Sequence, residues 1–205
     1  TVPGALNGTT NSQGEFKYKK DDVVTFFIGN MILGSGMAKD IMSPLNLVSG
    51  AKEIDDPSVV NIARLLQSLD VNASASMIEL PSGLTDSVNS WLLMQTGNPF
   101  GFDPDVYDFD TMAQELFDYL EAQMMAYSAG IAFVSEDEAL DHMTETLLGG
   151  YDGSYSGTYS GDDSGTWCFK IKDGLVTGTA LDKLNESFDL FGAIDPTGDM
   201  VAGSA

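Results

Sequence analysis

Cysteine and histidine are almost absent from this chain, which has one of each in 205 residues, Cys168 and His142. One cysteine excludes an intrachain disulfide and any Cys-x-x-Cys metal or redox site. One cysteine and one histidine are also too few for the usual zinc and copper ligand sets. We therefore predict no dependence on transition metals and no other cofactor, with calcium as the one exception considered below.

Basic residues are scarce as well, with 9 Lys and Arg against 31 Asp and Glu and a formal net charge of −22. Such a field repels nucleic acid and anionic lipid headgroups, so neither is an expected partner. No apolar run approaches the roughly 20 residues of a membrane-spanning helix, so we predict no direct membrane span. The apolar fraction of 43% and the aromatic fraction of 10% favour a folded chain over a disordered one.

The apolar period changes twice along the chain, from two to about 3.6 and back to two. It predicts an α+β fold in three segments: a sandwich-like antiparallel β-sheet over 1–50, a helical segment over 51–148, and an antiparallel β-meander of about five strands over 149–205. The stretch from Gly14 to Val48 organises the first segment. The chain begins at Thr1 without Met, which we interpret as a processed or truncated product whose leader has been removed.

Local signals place the individual elements. Phe16 and Tyr18 alternate with lysines and predict a half-buried strand, and Gly29-Asn30 predicts a hairpin turn. Asp56 before Pro57 predicts a helix start. We also expect a helix near Thr85–Met94, a long helix capped by Asp110 or Thr111, a capping box at 135–138 and a hairpin turn at 173–174.

Several of these stretches resemble a recurrent module. They are Gly14-Glu15-Phe16, Val23-Val24-Thr25-Phe26, Ser43-Pro44-Leu45-Asn46-Leu47-Val48, Asn61-Ile62-Ala63-Arg64-Leu65-Leu66, Val134 to His142, and the tail around Gly153-Ser154-Tyr155 and Gly165-Thr166-Trp167. Together they are similar to a module of surface lipoproteins and adhesin-like extracellular proteins of Gram-negative bacteria. The resemblance covers most of the chain and implies a location at the outer surface or outside the cell. It carries no catalytic residues.

Four aspartates, Asp103, Asp105, Asp108 and Asp110, cluster in the stretch NPFGFDPDVYDFD. Hard cations such as calcium bind several carboxylate oxygens, so the cluster is a candidate calcium site. The alternative is a solvated acidic loop with a helix cap, which is expected in so acidic a chain. We give the alternative the greater weight.

Four aromatic residues, Tyr151, Tyr155, Tyr159 and Trp167, recur among glycines in the last segment. Amphipathic rings on one face of an extracellular sheet favour a carbohydrate-stacking platform. The alternative, which we weight higher, is that alternate rings form the core of the meander.

No catalytic constellation is visible in the sequence. His142 has Glu138 and Glu145 at helical spacing, but no nucleophile or second base is suggested nearby. Cys168 lacks the electropositive neighbours of a reactive thiol. We therefore predict a protein that is not an enzyme.

Two functions fit these observations. The first is a non-enzymatic cell-surface or secreted bacterial protein that acts in adhesion or ligand binding. The second is a structural subunit of an extracellular filament or surface layer. In the second case we expect self-association through terminal β-strands, with Thr1–Asn11 and Met200–Ala205 as the donors because they are uncharged and compatible with β-structure.

Overall fold

The computed structural model describes residues 7–72, 77–95 and 100–204. It confirms the α+β class: an N-terminal antiparallel sheet is followed by helices and then by a C-terminal antiparallel sheet. The chain divides into two compact units, Thr1–Leu140 and Asp141–Ala205. No helix in the described residues is both long and apolar enough to cross a membrane.

The N-terminal sheet is a hairpin of β1 (Val23–Ile28) and β2 (Met31–Met37), joined by the predicted turn. Gly29 adopts a φ of 61°, which explains the glycine in that turn. The prediction of a strand at Phe16 and Tyr18 was wrong, since residues 15–19 are not in a strand. The Phe16 ring instead packs edge-on against Phe26 at 5.1 Å between centroids, so its apolar character serves packing on the hairpin.

Five α-helices follow in the described residues, and most of their starts match local signals. They are α1 (Pro44–Leu47), α2 (Pro57–Ser68), α3 (Leu84–Met94), α4 (Phe109–Gln123) and α5 (Glu136–Gly149). The Asp56 carboxylate accepts a hydrogen bond from the Ser58 amide at 2.9 Å, as expected of an N-cap.

The start of α4 lies earlier than predicted. Asp108 is the N-cap, because its carboxylate accepts hydrogen bonds from the Thr111 amide at 3.2 Å and the Thr111 hydroxyl at 2.9 Å. Phe109, the first helical residue, is 3% exposed, and burial of its ring favours a helix that begins before the predicted cap. The Ser135 capping box is confirmed: the Glu138 carboxylate accepts from the Ser135 amide at 3.0 Å, and the Glu138 amide donates to the Ser135 hydroxyl at 3.2 Å.

The core of the first unit lies between the inner face of the hairpin and the helices. Apolar stripes at helical spacing on α2 and α4 supply part of it. Its members include Ile28, Leu33, Ile62, Leu65, Trp91, Leu116, Phe117 and Leu120.

The C-terminal sheet is a meander of five antiparallel strands, as predicted. They are β3 (Gly153–Ser160), β4 (Ser164–Lys172), β5 (Leu175–Asp182), β6 (Ser187–Ile194) and β7 (Met200–Ser204), in the order β3-β4-β5-β6-β7. The β4–β5 turn is the predicted one, with Asp173 and Gly174 at positive φ of 50° and 78°.

Candidate functional site

The two faces of the C-terminal sheet differ in chemistry. Residues that pair directly across antiparallel strands share a face, so the register assigns each side chain. One row runs Tyr155, Phe169, Gly178 and Leu190, and the next runs Gly157, Trp167, Ala180 and Phe188. We call this side the aromatic face. The other side is the hydroxyl face, with Ser156, Thr158, Thr166, Thr177 and Thr179.

Glycines make room for the rings on the aromatic face. A Cβ atom on Gly157 would lie 2.5 Å from Cζ2 of Trp167, so the indole lies over the bare backbone of the neighbouring strand. On the next row, a Cβ on Gly165 would lie 2.8 Å from Cε1 of Tyr159. The alternation of glycine and aromatic residues in the sequence therefore places rings opposite glycines on the neighbouring strand, where no side chain competes for the space.

The rings form one continuous strip. Trp167 and Phe169 are stacked, with centroids 4.8 Å apart and planes 13° apart, and Tyr155 lies 5.5 Å from Phe169. Tyr155 is 40% exposed, whereas Trp167 and Phe169 are half-buried. Ile171 and Val176, at the other end of the same face, are only 4% and 2% exposed. The aromatic end of the face is thus the end that remains open to solvent.

Three of the four predicted platform residues, Tyr155, Tyr159 and Trp167, lie on this face. The fourth, Tyr151, precedes β3, and its carbonyl accepts a hydrogen bond from the Tyr155 hydroxyl at 2.8 Å. Sequence reasoning omitted Phe169 from the platform, although its two-residue spacing from Trp167 already placed both rings on one side of β4.

Phe188 was missed for a different reason. It lies on β6 in the row of Trp167, and is 38% exposed. Its membership in the face depends on the register between β5 and β6, which local spacing does not give.

The aromatic face is also nearly free of charge. Asp182, at the end of β5, is the one charged residue among its described positions on the five strands. The sheet lysines lie elsewhere: Lys172 on the opposite face has its ammonium 2.5 Å from the Asp152 carboxylate and 2.8 Å from that of Asp173. The Lys172 hydrogen bond lowers the pKa of Asp152. A ligand of this face therefore has no fixed positive charge to bind.

Three of the four loop aspartates have separate structural roles for their carboxylates. Asp103 accepts from the Asp105 amide at 3.0 Å, Asp108 caps α4, and Asp110 pairs with Arg64 at 2.7 Å. Across residues 7–72, 77–95 and 100–204, no three His, Cys, Asp or Glu side chains gather as a metal site. Calcium binding by this loop stays a prediction, to which the geometry adds no support.

The two residues considered for catalysis are both exposed. His142 lies on α5, and Cys168 lies on the hydroxyl face with its sulfur 3.6 Å from the Thr179 hydroxyl.

Comparison of the chain with protein-family models, with curated proteins and with solved structures gave no match.

Proposed function

We propose that this chain is a non-enzymatic bacterial protein of the cell surface or extracellular medium, and that it binds carbohydrate on the aromatic face of its C-terminal sheet. The observation that carries the proposal is the open strip of Tyr155, Phe169 and Trp167 rings on one face. The resemblance to surface lipoproteins and adhesin-like proteins supports the location.

The chemistry of the face favours a neutral, amphipathic ligand. Sugars present apolar C–H surfaces that pack on rings, together with hydroxyl groups that bond to polar neighbours. The face has a tyrosine hydroxyl beside the rings and almost no charge. An anionic ligand is disfavoured by the net charge of −22.

The test is binding of neutral oligosaccharides, with cellohexaose, chitohexaose, maltohexaose and laminarihexaose as the probes. Isothermal calorimetry compares the wild-type chain with Trp167→Ala and Tyr155→Ala. Phe191→Ala is the matched control, because Phe191 is an aromatic residue 52% exposed on the opposite face of the same sheet.

We expect at least one oligosaccharide to bind. Trp167→Ala is expected to weaken it by roughly tenfold or more, while Phe191→Ala leaves the affinity unchanged. Absence of binding by all four probes, or equal losses of affinity in Trp167→Ala and Phe191→Ala, would contradict the proposal.

A structural subunit of a filament or surface layer is the second candidate function. The open edges of the C-terminal sheet favour it, because within the part of the chain that the structure describes β3 and β7 each pair on one side only. Of the two predicted terminal donors, Met200–Ser204 forms β7 and pairs with β6, and residues 7–11 are not in a strand. Thr1–Leu6 and Ala205 lie outside the described residues.

A further inference from the structure

The edge strand β3 lacks the features that protect exposed sheet edges. Natural edges are usually blunted by charged side chains, proline or a bulge. β3 runs Gly153–Ser160 with no charged residue, no proline and an unbroken register against β4. The charges of the sheet lie on inner strands instead, at Lys170, Lys172, Asp182 and Asp189. In a chain of net charge −22, this eight-residue uncharged edge is distinctive.

The number of strands restricts how two such sheets can join. With five antiparallel strands, the edges β3 and β7 run in the same direction. Two copies that keep their aromatic faces on the same side can therefore pair antiparallel only through like edges, β3 with β3 or β7 with β7. A two-fold axis perpendicular to the sheet relates the copies in either case.

The sequence of β3 is close to a palindrome about Gly157. It reads Ser154-Tyr155-Ser156-Gly157-Thr158-Tyr159-Ser160. An antiparallel self-pairing centred on Gly157 sets Tyr155 of one copy opposite Tyr159 of the other. It likewise sets Ser156 opposite Thr158, and Ser154 opposite Ser160. Aromatic pairs and Ser–Thr pairs are among the favourable cross-strand combinations, and no like charges meet.

We propose that two copies of this chain pair antiparallel through β3, about a two-fold axis at Gly157. The pairing joins two five-stranded sheets into one ten-stranded sheet with a continuous aromatic face. The Trp167 ring lies over Gly157 within its own copy, so the two indoles approach each other at the axis. The β7 edge is the weaker candidate, since it has only five residues, Met200–Ser204. The pairing does not depend on carbohydrate binding.

Salt strengthens this dimer. Two chains of net charge −22 repel one another at low ionic strength, whereas backbone hydrogen bonds along β3 depend little on salt. The test is sedimentation velocity over a range of protein concentrations, at about 0.05 M and about 0.5 M NaCl. Only at the higher salt concentration does the Debye length fall well below about 10 Å. A thiol reductant is present because Cys168 is exposed.

Two double variants test the register. Ser156→Lys with Thr158→Lys sets lysine opposite lysine twice across the axis. Ser156→Lys with Thr158→Glu changes the same exposed positions but sets lysine opposite glutamate twice. Thr179→Lys with Leu181→Lys adds the same charge as the first variant at two exposed positions of β5, an inner strand, and neither position lies opposite a lysine.

We expect concentration-dependent dimers for the wild-type chain, tighter at high salt. The first variant is expected to weaken the dimer at least about tenfold relative to the second, and the β5 variant to dimerise like the wild-type chain. A wild-type chain that stays monomeric at every salt concentration overturns the proposal, as does equal dimerisation by the two β3 variants. Circular dichroism checks that each variant is folded.

Discussion

At the scale of single residues, the side chain of Arg64 connects several parts of the first unit. It is 6% exposed, and its guanidinium carbon lies 4.3 Å from the Phe133 ring centroid and 5.4 Å from that of Phe109. The guanidinium donates to the Val134 carbonyl at 3.1 Å and to the Asp110 carboxylate at 2.7 Å. One planar group thus joins α2, the start of α4 and the segment before α5.

Arg64→Lys tests whether the planar group or the ion pair matters more. Lysine keeps the charge but loses ring stacking and the fixed directions of the hydrogen bonds, so we expect a loss of about 1–3 kcal/mol in the free energy of unfolding. Asp110→Asn is the control: the Asp110 side chain is 65% exposed, and we expect a loss below about 1 kcal/mol. Urea denaturation measures both, and equal losses would contradict this ranking.

Tyr127 makes the free energy of unfolding depend on pH in the alkaline range. The side chain is 4% exposed and its hydroxyl donates to the Leu69 carbonyl at 2.7 Å. Burial, with a smaller contribution from the charge of Asp70, raises the pKa of Tyr127 far above its ordinary value. The neutral phenol is therefore the form that stabilises the fold. Its contribution is complete below the unfolded-state pKa of about 10 and is lost as pH rises above it.

Tyr127→Phe isolates this effect from the other tyrosines. At neutral pH the variant loses the hydrogen bond, and we expect it to be less stable than the wild-type chain by about 1 kcal/mol. Above about pH 10 the wild-type chain loses stability faster than the variant, so the difference shrinks. Thermal melts from pH 7 to about pH 11 measure it. A constant difference across that range would argue against the buried phenol as the cause.

At the scale of elements, the sequence predicted structures whose signals are local. The Gly29-Asn30 turn, the Asp56 cap, the Ser135 capping box and the Asp173-Gly174 turn are each indicated by the residue types at neighbouring positions. The errors at Phe16 and Asp108 have another cause. In both places a ring packs against residues distant in sequence or becomes buried, and local pattern does not report such contacts.

The hairpin and α1 provide a prediction at this scale. A Cβ on Gly36 of β2 would lie 1.9 Å from the Asn46 carbonyl oxygen, so the strand and α1 approach too closely for a side chain. We expect Gly36→Ala to cost about 1–3 kcal/mol in the free energy of unfolding.

Gly149→Ala is the matched control. Gly149 ends α5, nothing lies within 4 Å of the added Cβ, and alanine favours helix, so we expect no loss or a small gain. Chemical denaturation compares the two variants. A Gly36→Ala protein as stable as the control would show that the hairpin and α1 separate freely.

At the scale of the whole molecule, part of the candidate site followed from sequence and part did not. Two-residue alternation placed Tyr155 and Tyr159 on one side of β3, and Trp167 on one side of β4. It did not show that these sides coincide, because that depends on the register between strands. It also gave no partner for Arg64, whose contacts with Asp110 and Val134 span 46 and 70 residues of sequence.

The two tryptophans offer the most direct test of the aromatic face as a binding surface. Trp167 is half-buried on that face, and Trp91 is 2% exposed in the core of the first unit. Quenching by acrylamide, which is neutral and so insensitive to the charge of the chain, separates the accessible indole from the buried one. Trp167→Phe leaves only the buried reporter.

The measurement is acrylamide quenching of tryptophan fluorescence with and without cellohexaose, chitohexaose, maltohexaose and laminarihexaose. If the aromatic face binds carbohydrate, at least one of them reduces quenching in the wild-type chain and has no effect in Trp167→Phe. Unchanged quenching with all four, or an equal reduction in Trp167→Phe, contradicts the proposed function.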